Sequence, residues 1–277
     1  LPDGLLRVGV PARSHAGLIV DFVSYLLPLI GALWWPFCRI MALLSSAPAV
    51  GDGMVPIPVR ALLSLVLAFL MLPLTKNMVM PDPFSLAGVV AMFEQAVIGG
   101  VLGFALQFAT SAISMLGFLA SSQIGFSMAQ MNDPVNGQQS DVISSLLALV
   151  AIFVFFAIDG HLVLTSVLGQ SFHAWPVGQG LGSLALQTVA LNLGWVFAAA
   201  MLLALPIVFS TMVVQIGFGF LNRVAPSLNL FSLGFSLVTI FGLMMLVQLV
   251  RFIPEHYIQL TNAVLEMLQQ QMRAARV

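Results

Sequence analysis

Long apolar runs, closed off at intervals by proline- and glycine-bearing turns, constrain this chain more than any other feature. They cover residues 22–46, 59–74, 84–108, 143–168, 184–221 and 228–252, with 111–129 as a possible seventh. A helix needs about 20 apolar residues to cross the hydrocarbon core of a bilayer, and most of these runs reach that length. The breaks carry turn chemistry at Pro48, at 51–58, 81–83, 132–137 and 176–182, and at 222–226. Of the 277 residues 60% are hydrophobic and 7% charged, whereas a soluble domain carries roughly a quarter charged residues. The sequence therefore predicts an all-α integral membrane protein of six spans.

Several spans contain helix breakers: Pro28 and Pro36 in the first, Gly99, Gly100 and Gly103 in the third, Pro206 in the fifth. In hydrocarbon a freed backbone group must find its partner inside protein, so kinked and glycine-rich helices point to burial against other helices. Gly99 and Gly103 form a GxxxG match, which permits close helix approach. Residues 21–253 read as one membrane core. Residues 1–20, with Arg7, Arg13 and His15, read as a separate N-terminal segment, non-native or flexible. They are not a typical signal peptide, because the following apolar run is too long and no small-residue cleavage site closes it. Residues 254–277 differ in kind. Tyr257, Thr261, Val264, Leu265, Leu268 and Met272 recur at three- and four-residue spacing opposite a Gln-rich face, which predicts an amphipathic helix for an interface or a partner, with an ordinary solvated terminal helix as the alternative.

Net charge is -1, so nothing electrostatic favours nucleic acid. The single cysteine, Cys38, excludes an internal disulfide framework and leaves a CxxC site without its second thiol. No basic residue occurs between Lys76 and Arg223, while Asp82, Glu94, Asp133, Asp141 and Asp159 lie in that interval. Arg251, Arg273 and Arg276 lean the C-terminus toward the cytoplasm without fixing a topology.

Catalytic groups are sparse. The chain has no HExxH, GxSxG or Walker pattern, and its histidines are scattered as His15, His161, His173 and His256. Asp159 and His161, two residues apart, point to different faces of a helix. No catalytic residue, metal ligand or cofactor is expected. Glu94 with Gln95 sits inside an apolar run, where an ionisable group is costly. A proton or ion relay is one reading. The other, favoured because relays usually involve several membrane acids, is a hydrogen bond to a neighbouring subunit or a kinked backbone. Arg39, about two turns from its span's end, is expected to snorkel to the interface as an anchor. The most informative loop is 125–141, GFSMAQMNDPVNGQQSD, where Met128, Met131 and Phe126 are deformable or apolar side chains at a polar turn. A seal or plug fits these residues; an ordinary exposed connection is the alternative.

Five segments in register resemble successive signatures of the FliR family: WPFCRIMALLSSAPAVGDGMVPIPVR at 35–60, MNDPVNGQQSD at 131–141, IDGHLVL at 158–164, LALPIV at 203–208 and LNRVAPSLNLFSLGFSL at 221–237. The likeness covers about 20–252, and DPxxGQQS looks more flagellar than virulence-type. The resemblance implies a non-enzymatic subunit joining FliP and FliQ in a hetero-oligomeric helical pore of kinked hairpins, with FlhB wrapped outside and FlhA nearby. Its place would be the bacterial inner membrane at the flagellar basal body, its cargo unfolded flagellar proteins. The resemblance also implies that Phe126, Ser127, Met128, Ala129, Gln130, Met131, Asn132, Asp133 and Pro134 form a plug in the closed pore. A ring of methionines can deform around a passing chain yet exclude ions when empty. Asp159, Gly160 and His161 match a helix-end motif, read as capping because relatives can carry Asn for Asp. Asn222, Arg223 and Pro226 match a turn motif. The rival reading is an ion-coupled secondary transporter using Glu94.

Overall fold

The computed structural model describes residues 15–51, 55–75, 81–83, 85–126, 141–178, 186–224 and 230–275; for 15–28, 186–193 and 230–233 the description is of the backbone. The described residues form eight helices: α1 (His15–Ser46), α2 (Ile57–Thr75), α3 (Leu86–Ile124), α4 (Val142–Ala157), α5 (Gly160–Ala174), α6 (Leu186–Val224), α7 (Leu230–Val250) and α8 (Ile253–Ala274). Four are long and apolar enough to cross a membrane, or up to six if each of two bent pairs counts as one span. The chain is an all-α membrane protein.

The spine is α3. At 1.5 Å per residue its 39 residues extend about 58 Å, nearly twice the hydrocarbon thickness. The expected end at 108 and a separate run at 111–129 are both corrected by this single helix. Its polar middle does not break it, because Ser114 donates back to the Thr110 carbonyl at 3.0 Å and Thr110 meets the Tyr257 hydroxyl of α8 at 3.2 Å. Ser85 caps its start, accepting from the Gly88 N–H at 3.0 Å. Gly125, at φ 89, closes its end, a left-handed conformation that glycine adopts without steric cost.

The helix α1 lies along the first half of α3 and continues through Pro28 and Pro36. Close approach requires glycine: a Cβ on Gly99 would collide with the Arg39 carbonyl oxygen, and one on Gly103 with the Leu43 carbonyl oxygen. Ser46 then reaches across to the Gly100 carbonyl at 2.9 Å. Along the second half, a Cβ on Gly117 would come 2.6 Å from the Ser144 Cα of α4. The turn from α1 to α2 is held by buried Arg60, whose guanidinium donates to the carbonyls of Val50 at 2.9 Å and Val55 at 3.2 Å.

The run expected to be one span over 143–168 is two helices, α4 and α5, bent by 70°. A second bend of 58° separates α7 from α8. The amphipathic helix at the C-terminus does not stand off for a partner: Ile253, Tyr257, Thr261, Val264, Leu268 and Met272 are buried, against α3, α4, α5 and α7 of the same chain. Leucine 106, Ile113, Leu116, Leu147 and Phe172 belong to the core that this helix helps to cover.

Candidate functional site

A buried cation stands where the sequence suggests a lipid-facing anchor. Arg39 is 0% exposed and its side chain does not snorkel. Its Nε donates to Gln95 Oε1 on α3 at 2.8 Å. One terminal nitrogen donates to Ser171 Oγ on α5 at 3.2 Å and the other to the Trp175 carbonyl at 2.7 Å. The guanidinium also lies 4.2 Å from the centroid of the Phe172 ring. Glu94, 5% exposed, interacts electrostatically with it. The pair expected to serve a neighbouring subunit or a kinked backbone is thus engaged with α1 of its own chain. Because three nitrogens of a planar fork reach Gln95 on α3 together with Ser171 and the C-cap carbonyl of α5, lysine could not reproduce the full set. Removing the Arg39 charge, which would leave Glu94 buried without its counter-charge, costs about 3–5 kcal/mol.

The end of α3 and the start of α4, which flank the loop at 126–134 in sequence, are tied together. Phe126 is half-buried against the core; residues 127–134, including Met128 and Met131, lie outside the described residues. Both stems are pinned. Ser121 on α3 donates to Asp141 at 2.5 Å, and Asp141 caps α4, accepting from the Ser144 N–H at 3.1 Å. Ser144 donates to the Ser114 carbonyl at 2.7 Å, and Thr239 of α7 donates to the Ile124 carbonyl at 3.1 Å. The ring of Phe235 closes over Gly125, 2.7 Å from where a Cβ would stand. A polar stem in an apolar bundle is costly unless each group is paired.

At the corner between α4 and α5, Asp159 has φ 56 and no side-chain capping bond. The reading of Asp159 as a capping side chain is corrected: it stands at the N-cap position without that bond, and Asp suits the site because it enters the left-handed region more readily than most non-glycine residues. Gly160 is buried, and a Cβ there would strike the Phe155 ring. His161 is exposed with its ring 6.2 Å from that of Phe156. Asn222 and Arg223 are exposed in the last turn of α6, where a cation suits the helix dipole; Pro226 lies outside the described residues. Among the described residues no group of three His, Cys, Asp or Glu could hold a metal ion.

Sequence reasoning missed Ser171, Trp175, Ser121 and Thr239, which carry no motif and act through partners distant in sequence. Asp141 had a signal, an acidic residue immediately before an apolar helical run.

Residues 30–264 match the family described as Bacterial export proteins, family 1. The chain is 34% identical over 240 residues to the flagellar biosynthetic protein FliR of Pectobacterium carotovorum subsp. carotovorum, covering 86% of this chain and 92% of that protein. It belongs to the FliR family of bacterial export proteins. Similarity to FliR of Escherichia coli K12 is 31% over 79% of this chain and 84% of that protein. The Yop proteins translocation protein T of Yersinia pestis is 27% identical over 56% of this chain and 60% of its own. The FliR-family match runs from the middle of α1 into α8, and so takes in the Arg39 cluster, the pinned loop and the α4–α5 corner. None of these three relatives is named as a solute transporter.

Proposed function

We propose that this chain is a core subunit of the flagellar type III protein-export gate, lying in the bacterial inner membrane at the flagellar basal body. There it joins FliP and FliQ in a hetero-oligomeric pore, beside FlhB and FlhA, and unfolded flagellar proteins pass through. The observation that carries this reading is the likeness to flagellar FliR proteins over 92% of the length of one of them. No reaction is asked of the chain itself; energy comes from other components.

Within that gate the loop over Phe126 to Pro134 is the plug. Support comes from the flanking helix ends, where Ser121 of α3 holds Asp141 and Thr239 of α7 holds the Ile124 carbonyl, with a methionine-bearing segment between them in sequence. A seal must be anchored on a scaffold yet deformable at its tip, and methionine supplies the second property. Apolar faces such as Leu62, Phe69, Phe209 and Phe220 meet lipid or the other subunits.

The reading is tested by deleting the gene. Loss of flagella and of secreted hook and filament proteins is expected, with rescue by the plasmid-borne chain. Intact secretion with impaired uptake of a small solute would contradict it and favour an ion-coupled transporter. Glu94→Gln separates the two in the same strain, since a structural Glu94 leaves export largely intact whereas an ion-coupling one abolishes function.

A further inference from the structure

The apolar run over 143–168 has the length and composition of one membrane-crossing helix, yet α4 and α5 are bent by 70° at Ile158 and Asp159. The corner is unfavourable in itself. Asp159 holds a left-handed conformation that disfavours side chains with a Cβ, and it is exposed rather than packed in place. Gly160 fits only because it has no Cβ to strike Phe155.

Leu164, Val167 and Leu168 pack α5 into the core along its length, and the polar hold on the bend lies at its opposite end. Ser171, Phe172 and Trp175 are all buried there, and all three meet the single Arg39 guanidinium of α1. Trp175 is the C-cap residue of α5, so the cation occupies the negative end of that helix and satisfies a carbonyl that the helix leaves open. Gln95 fixes the same guanidinium to α3. One side chain thus ties the end of α5 to two other helices, while the beginning of α5 is strained.

We propose that the α4–α5 corner is a two-state joint and that Arg39 is the positioning residue that holds it bent. In the second state α5 leaves the guanidinium and continues the line of α4, as the composition of 143–168 allows. Arg39 then keeps Gln95 and the neighbouring Glu94 charge within the α1–α3 pair. Packed helices switch between discrete arrangements rather than deforming continuously, so the joint has two positions and no graded series between them. The inference stands on this geometry whether or not the chain is an export subunit.

The test uses the full chain in membranes, with Cys38→Ala and spin labels on cysteines placed at Leu146 of α4 and Gln170 of α5, both exposed. A straight helix separates these positions by about 36 Å; a bend of 70° shortens that to about 30 Å. A second pair at Ser122 of α3 and Gln259 of α8, also exposed, reports on the bundle. The native chain is expected to show mainly the short distance, with a minor population below about a tenth. Arg39→Met is expected to raise the long population on the order of tenfold while the α3–α8 distance is unchanged, and Arg39→Lys to give an intermediate shift. An unchanged α4–α5 distance in Arg39→Met overturns the proposal. So does a joint shift of both pairs, because Arg39 then supports the whole bundle rather than the joint. Should Arg39→Met fail to accumulate, Gly160→Ala strains the corner instead of the latch and must produce the long population. A single short distance in that variant overturns the proposal as well.

Discussion

Helices α3 and α6 have the same length, 39 residues each, and both are mostly apolar, yet they answer to different surroundings. On α3 three glycines are pressed against other helices' backbones, Gly99 and Gly103 against α1 and Gly117 against α4, while Gly100 is open. On α6, Gly194, Gly217 and Gly219 have nothing within 4 Å of where a Cβ would be. Polar groups divide likewise. Gln95 and Thr110 of α3 pair with α1 and α8, whereas buried Thr211 of α6 bonds the Ile207 and Val208 carbonyls of its own helix. Large side chains on α6 such as Phe197, Leu202, Phe209 and Phe220 are exposed. The difference teaches that apolar content decides entry into the membrane, while the placement of small and polar residues decides which helix faces the interior of the chain.

Matched substitutions on the two helices either sustain that contrast or break it, with melting temperature in detergent as the measure. The largest difference is expected for Gly99→Val against Gly217→Val. The first forces α1 away from α3 and is expected to cost about 1–3 kcal/mol or more; the second meets open space and stays within about 0.5 kcal/mol. Next is Gln95→Leu against Gln215→Leu. Losing the acceptor of the buried Arg39 Nε is expected to cost about 1–3 kcal/mol, and the exposed Gln215 close to nothing. The smallest is Thr110→Val against Thr211→Val. The first gives up the Tyr257 contact for about 0.5–1.5 kcal/mol, and the second a bond within its own helix for less. Equal losses on both helices would end the distinction.

The existence of the helices was legible in the sequence, because hydropathy and turn chemistry are local signals. So was the amphipathic pattern of α8, though the spacing of Tyr257, Val264 and Leu268 could not say that its surface is this chain's own α3. Hydropathy erred in both directions elsewhere. It ended the third run at 108 because Gln107, Thr110, Ser111 and Ser114 lower the local average, while Ser114 and Thr110 in fact satisfy themselves within the helix and against α8. It joined α4 to α5 because a bend leaves apolar content unchanged. The snorkelling expected of Arg39 failed for a third reason. Its partners stand 56, 132 and 136 residues away, and nothing along the chain announces that they converge.

The claim that the whole account serves is that an anchored, methionine-bearing loop closes a pore. Ion conductance across membranes carrying the assembled complex tests it most directly, comparing the native chain with one lacking residues 126–131. A clear rise in leak, with the complex still assembled, is the expected result. An assembled complex whose leak is unchanged by the deletion would contradict it.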